Sequence, residues 1–352
     1  MPRTRPTPTE RILVTTSRAE KSTTVRLERR RAARRRKAAA RLALVRARFA
    51  VLQTVSPRRA ARLALDLWCT PPDGAGRRRD DRAVAGALST VTTSSGARVV
   101  VETWDPHASA DDAPDGTAGH GAGAGVVYLA HGWGGRRGQL GAFVEPLRAA
   151  GHRVVAFDAP SHGDSGPGRL GPRRSTMPEL ADALAAVVRE HGEATAVVAH
   201  SLGTATTVLA VRDGLPAGRL VLVAAIADVL GQLHGFADLL GLSRPTRELL
   251  QSRLSDLAGR PLPELDVRET LRTHPVPPAL VVHDRADKEV PYPVGAALAA
   301  AWPEGELLTT DGLGHHRLLR DPDVVRAVVD YVRSPAARPD PEPVVRPAAG
   351  SR

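Results

Sequence analysis

The chain has 352 residues, 42% of them hydrophobic, enough for one large domain with a single core and some attachments. Its lone cysteine, Cys69, excludes an internal disulfide and with it a disulfide-stapled secreted scaffold. The net charge of +11 is unevenly held: residues 1–64 contain 17 Arg, two Lys and three Glu, a local +16 that leaves −5 on the remainder, so the basic balance describes a tail and not a site.

Residues 1–24 are polar, with Pro and Thr spaced through them, the composition of a disordered segment. From Val25 to Leu52 the pattern turns helical. Leu42, Val45, Phe49 and Leu52 form one apolar stripe, and the basic runs Arg29–Arg31 and Arg34–Lys37 form a solvated face. Three readings compete for this helix: a charged extension that packs its stripe on the domain, a helix lying on an anionic membrane surface, and a nucleic-acid contact. No aromatic residues interleave with the arginines, which argues against nucleic acid, and the first reading carries most weight. No apolar run of about 18 residues is free of charge, and residues 1–37 hold no long apolar segment, so a cytoplasmic protein without a spanning helix is expected.

A second helical stretch, Arg58–Trp68, ends at Pro71-Pro72; Cys69, in its apolar run, reads as a buried inert thiol. After the loop Asp73–Asp81, the runs Ala87–Thr93 and Ala97–Trp104 flank Ser94-Ser95-Gly96, a hairpin signal. Residues 105–124 are Gly/Ala/Asp-rich and loop-like, and His107 and His120 in them carry no ligand pattern. The chain then alternates. Strand-like runs at Val126–Ala130, Arg153–Phe157, Ala196–Ala199, Leu220–Ala224, Ala279–Val282 and Glu306–Leu308 are separated by helical patterns. Those helices are Gly138–Ala150, Pro178–Glu190, Leu202–Asp213, Val294–Ala301 and Pro322–Val332. Unbroken apolar strands between helices predict an α/β fold: a mostly parallel sheet with helices on both faces. Residues 227–273 lack strand character and read as a helical insertion, and the Pro-rich end after Ser334 reads as a tail. The expected organisation is a basic extension over 1–57, one domain over 58–334 with a cap at about 227–273, and a disordered tail over 335–352.

The sharpest signal is Ala196-Val197-Val198-Ala199-His200-Ser201-Leu202-Gly203. A strand ends in a serine and a helix of small residues starts at once, the strand–turn–helix setting of a nucleophile elbow. Ala199 stands where that motif has its first glycine, and the motif alone would also describe an ordinary β–α loop serine. A serine needs a base, and the base a carboxylate to orient it. Asp284 and Asp287 follow the strand Leu280–Val282, and His315 and His316 follow the last strand, in the order Ser, Asp, His expected of such a sheet. The strand Val126–Ala130 runs into His131-Gly132-Trp133-Gly134-Gly135, whose free N–H groups suit a developing oxyanion. The Trp133 and Leu202 N–H groups are the expected donors of that oxyanion hole.

With these parts in order, the region from about Leu88 to Val332 resembles the α/β-hydrolase superfamily. The matching stretches are His131–Gly135, Val155–Ser165, the elbow at Ser201, the Asp287 loop and the His315 loop. The resemblance implies an eight-stranded sheet with a helical cap after the sixth strand. It also implies hydrolysis of an ester, or less often an amide or thioester, through an acyl-enzyme. The family pattern places the acid four residues before the proline of a Val-Pro pair, which selects Asp287 and leaves Asp284 a surface or loop-bracing residue. It also favours His315 over His316, while His131, His162 and His200 brace loops and Asp158 stabilises one. The serine sets the chain apart from haloalkane dehalogenases and epoxide hydrolases, which carry an aspartate nucleophile.

No paired cysteines or H-E-x-x-H stretch occurs, so no metal is expected. The run Gly119–Gly125 precedes a strand where a nucleotide fingerprint would follow one, so no cofactor is expected. The partner is a small-molecule ester or acyl substrate. Leu230, Leu233, Phe236, Leu239, Leu240 and Leu242 of the cap offer an apolar wall for it, or form the plain core of the cap. Two alternatives stay open: acyl transfer or peroxyacid formation on the same residues, and a catalytically idle binding protein acting through its Arg-rich helix.

Overall fold

The computed structural model describes residues 32–33, 36–72, 80–107 and 125–334. The predicted disordered ends, 1–24 and 335–352, and most of the predicted loop 105–124 with His120, lie outside the described residues.

The eight strands are β1 (Ala87–Thr92), β2 (Arg98–Trp104), β3 (Val126–Ala130), β4 (Arg153–Phe157), β5 (Ala194–His200), β6 (Leu220–Val223), β7 (Ala279–Asp284) and β8 (Gly305–Thr310). They form one sheet in the order β1-β2-β4-β3-β5-β6-β7-β8. β1 pairs antiparallel with β2 and β2 with β4, and all other neighbours are parallel. The parallel strands β3 to β7 are apolar on both faces because both are covered. The helices are α1 (36–55), α2 (Pro57–Trp68), α3 (Val144–Ala149), α4 (Met177–His191), α5 (Leu202–Arg212), α6 (Val229–Leu240), α7 (Arg244–Ala258), α8 (Val267–Thr273), α9 (Tyr292–Ala301), α10 (Gly314–Arg317) and α11 (Pro322–Arg333).

The described chain divides into two units. One joins the residues up to Ala64 with Leu233–Gln251; the other joins Leu65–Gln232 with the residues from Ser252. In the first unit Phe49 is fully buried, as the predicted stripe requires. Gln53 ties α1 to the turn after α6, donating from Nε2 to the Gly241 carbonyl (3.1 Å) and accepting the Ser243 N–H at Oε1 (2.7 Å).

The second unit carries the sheet. Alternation along each strand splits its side chains between two faces. Val127, Leu129, Val154, Ala156, Val198, Val221 and Val282 join Phe143 and Leu147 and the α11 valines in one core. Tyr128, Val155, Val197, Leu222 and Val281, equally buried, point to the opposite face, where α4 and α5 pack together and against the strands. The helical insertion holds α6, α7, a 3₁₀ turn at Leu262–Leu265 and α8, as its lack of strand character predicts.

Two boundaries differ instructively. The predicted helix Gly138–Ala150 is a 3₁₀ stretch, Arg137–Phe143, and α3 starts only at Val144. Pro146 lacks a donor and its ring obstructs the carbonyl four residues back, so a continuous α-helix cannot run through it. β7 continues two residues past its apolar run, because His283 and Asp284 are buried with partners: His283 Nε2 bonds the Val290 carbonyl at 3.0 Å, and Asp284 is the acceptor described below. Cys69 is buried, and burial, reinforced by Glu179 and Asp66, pushes its thiol up to about 12, the inert state. No described helix is long and apolar enough to cross a membrane.

Candidate active site

Ser201 sits between β5 and α5 at φ 54°, ψ −124°, a left-handed conformation that a non-glycine residue adopts only under constraint. Its N–H donates to the Val223 carbonyl (3.0 Å), and its own carbonyl accepts from Thr204 Oγ1 (2.6 Å). Thr204 Oγ1 also accepts the Ile226 N–H (3.1 Å), which links the elbow to the end of β6. Small residues make the turn fit. A Cβ on Gly203 would stand 2.7 Å from the carbonyl oxygens of Ala130 and His131, and one on Gly132 would stand 2.9 Å from the His200 carbonyl oxygen and Ser201 Cβ.

The three residues that the resemblance singled out meet. His315 Nε2 lies 3.0 Å from Ser201 Oγ, and His315 Nδ1 lies 2.8 Å from Asp287 Oδ2. Asp287 is buried, and its other oxygen accepts the N–H groups of Glu289 (2.8 Å) and Val290 (3.0 Å). Burial pushes this carboxyl up, but the bond to His315 and the two N–H groups outweigh it and hold it below the usual carboxylate range. An ionised Asp287 accepts the Nδ1 proton, which leaves Nε2 as the lone pair facing the serine hydroxyl. His316 does not reach Ser201 in this way: its Nε2 pairs with Glu289 Oε1 at 3.1 Å, and its side chain is 43% exposed.

Asp284 is not at the surface. It is fully buried and accepts four hydrogen bonds: from the N–H of Ala286 (2.9 Å), Thr310 Oγ1 (2.7 Å), and the N–H groups of Leu313 (2.9 Å) and Gly314 (2.8 Å). Burial opposes ionisation here too, and these donors again hold the carboxyl below its usual range. Of its two predicted roles, the structure assigns loop bracing: Asp284 clamps the turn that presents His315.

Three other histidines also serve loops. His200 donates from Nε2 to the His315 carbonyl (3.0 Å), holding the backbone at His315. His131 Nε2 accepts the Ala159 N–H (3.0 Å), and Nδ1 donates to the Gly132 carbonyl (2.7 Å). The His162 ring lies between His131, tilted at 47°, and Trp133, edge-on at 67°, with centroid distances of 5.1 and 5.2 Å. Burial holds all three neutral, at about 4 for His131 and His162 and about 3 for His200.

An ion-pair network that no sequence motif announces fixes the glycine loop. Arg137, buried just after it, donates to Glu102 Oε2 (2.8 Å) and pairs with Asp158, which also accepts the Arg137 and Asp164 N–H groups (2.8 and 2.9 Å). Beside the loop role expected of Asp158, the signal was Glu102, a charge directly after the apolar run Val99–Val101, which demands a partner when buried.

Leu202 opens α5, so its N–H has no acceptor within the helix. The Cβ position of Gly132 stands 3.4 Å from that nitrogen, which brings the Trp133 loop and the elbow together. A cavity of about 320 Å³ adjoins the loop, lined by Pro72, Gly134, Arg136, Ser161, His162 and Arg173 among others. A larger one of about 620 Å³, between the ends of α4 and α5, shares no residue with the site. Among the described residues, His200, His315 and His316 could offer a metal ligand atoms within 4.8 Å of one another. The hydrogen bonds above already engage both nitrogens of His315 and Nε2 of His200.

A family model described as "Alpha/beta hydrolase family" matches residues 118–328. No curated protein sequence matches the chain. Among solved structures, Est1E from Butyrivibrio proteoclasticus with ferulic acid bound is similar, with 17% identity, 70% of this chain and 96% of that chain covered, and a TM-score of 0.53. An esterase from Exiguobacterium antarcticum gives 16%, 70%, 100% and 0.51, and a thermophilic esterase from Thermogutta terrifontis with malate bound gives 17%, 70%, 100% and 0.50. At such identities the likeness is one of fold.

Proposed function

The chain belongs to the alpha/beta hydrolase family, whose model covers more than half of it, and from that premise we propose that it hydrolyses carboxylic esters through an acyl-enzyme on Ser201. The observation that carries this reading is the hydrogen-bonded row Ser201 Oγ, His315 and Asp287, at 3.0 and 2.8 Å, on a strained elbow.

Ser201 Oγ attacks the ester carbonyl as its proton passes to His315 Nε2. Asp287 holds the imidazole with Nε2 toward the serine and stabilises the imidazolium. The oxyanion of the tetrahedral intermediate accepts from the N–H groups of Trp133 and Leu202, each worth about 3–4 kcal/mol in related chemistry. Collapse expels the alcohol, which takes the proton from His315. Water then attacks the acyl-enzyme by the same route, with His315 as base, and releases the acid and free Ser201. Trp133, half-buried on the loop beside the elbow, supplies an apolar face, and an apolar acyl group is the substrate class that follows. Leu233, Leu240 and Leu242 are buried and committed to packing, the plain core that was the other reading of the cap residues.

The test is labelling of the purified protein with a fluorophosphonate probe beside Ser201→Ala, with p-nitrophenyl esters of increasing chain length assayed in parallel. Labelling is expected in the wild type and absent in the variant, with hydrolysis that favours longer acyl chains. A folded wild type that neither labels nor hydrolyses any ester would overturn the reading.

A further inference from the structure

α1 has two apolar faces. Leu42, Val45, Phe49 and Leu52 are buried or half-buried, with Phe49 at 0% exposure. Leu44, Val51 and Val55 point away from them and are 73%, 68% and 75% exposed. At about 100° per residue these three fall within an arc of about 40°, and the exposed Ala40 and Ala47 widen the stripe on one side. Exposed Lys37, Arg41 and Arg48 lie along and beside its other edge. From residue 29 to residue 65 the sequence contains 13 Arg and Lys and no Asp or Glu.

We propose that this outer face of α1 docks on an anionic lipid surface, with Leu44, Val51 and Val55 in the headgroup–acyl boundary and the flanking cations on lipid phosphates. An exposed apolar stripe edged by positive charge suits a medium that is apolar within and negative at its surface. A nucleic acid would use the cations and leave three aliphatic side chains without a role, since its outer surface is phosphate. The inference is independent of the chemistry assigned to Ser201.

The experiment is co-sedimentation of the full chain with two kinds of vesicle: phosphatidylcholine alone, and phosphatidylcholine with phosphatidylglycerol as about a third of the lipid. Wild type is expected to bind the anionic vesicles about tenfold or more better than the neutral ones, and to be released by salt. Replacing the stripe by Leu44→Gln, Val51→Gln and Val55→Gln should weaken binding about tenfold without altering the charge. Replacing Lys37, Arg41 and Arg48 by Gln should do the same while keeping the stripe. All six positions are exposed, and circular dichroism is expected to be unchanged. Equal binding to both vesicles, no binding to either, or a stripe variant that binds like wild type would overturn the proposal. So would binding to duplex DNA that anionic vesicles fail to compete away.

Discussion

Asp284 and Gly314 lie 30 residues apart and are joined by a 2.8 Å hydrogen bond, the Gly314 N–H donating to Asp284 Oδ1. Gly314 has φ +66° and immediately precedes His315, so the carboxylate clamps the turn that aims the imidazole. In the proposed mechanism Asp284 is thereby a positioning residue. Asp284→Asn replaces two acceptor sites with donors that face other donors, and each orphaned N–H costs about 1–3 kcal/mol. The expected result is a kcat lower by about tenfold to a hundredfold, because small misplacements of a catalytic group are expensive. KM should change little. Thr310→Val removes one donor only and should cost less than about tenfold. Steady-state kinetics well below the melting temperature check both; an unchanged kcat in Asp284→Asn would reduce the residue to a structural one.

The geometry separates the two neighbouring histidines. His315→Ala should lower kcat by about 10⁴-fold or more, and Asp287→Asn by about 10⁴-fold through the wrong imidazole tautomer. His316→Ala should stay within about tenfold of wild type, since its ring pairs with Glu289 and not with Ser201. Single-turnover measurement of acyl-enzyme formation in the three variants decides this. A large loss confined to His316→Ala would reverse the assignment.

Gly203→Ala tests the close approach of helix and glycine loop. The added methyl meets two carbonyl oxygens at 2.7 Å, and neither backbone can retreat freely. A loss of about 1–3 kcal/mol in stability is expected, together with lower activity, because the displaced carbonyls belong to the loop that carries Trp133. Thermal unfolding followed in parallel with ester hydrolysis measures both. A variant as stable and active as wild type would show that the two segments are less tightly packed than the structure has them.

The buried neutral histidines predict acid sensitivity. Below about pH 6.5 the unfolded chain binds protons at His131, His162 and His200 that the folded chain refuses. Stability is therefore complete above that pH and falls through the window from 6.5 toward about 4 for His131 and His162 and about 3 for His200. A shift of this size amounts to about 3 kcal/mol for His131 across its window. Several kcal/mol summed over the three sites should lower the melting temperature by about 10 °C or more between pH 7 and pH 4.5. A melting temperature flat across that range would refute burial of the neutral rings.

The elements of this fold are written locally. Short apolar runs of three to five residues separated by helices are buried together as a mostly parallel sheet covered on both faces. The residues of the candidate site are legible for the same reason: a strand-end serine before small residues, a strand-end aspartate and a late histidine each follow a local pattern. Local pattern by itself did not decide the use of the buried polar groups; between the two aspartates only the family resemblance chose. Asp284 and Asp287 are three residues apart and chemically identical, yet one clamps a backbone turn and the other faces an imidazole. That division depends on which donors the β8 loop brings within 3 Å. Arg137, Glu102 and Asp158 come from three separate segments and meet only once β2, β4 and the glycine loop are side by side. On α1 the sequence marked the inner stripe, but only exposure in the folded chain showed a second apolar face left in water. Hydrophobic period is a property of neighbours along the chain, whereas the partner of a buried charge and the exposure of a surface side chain are set by residues far away in sequence.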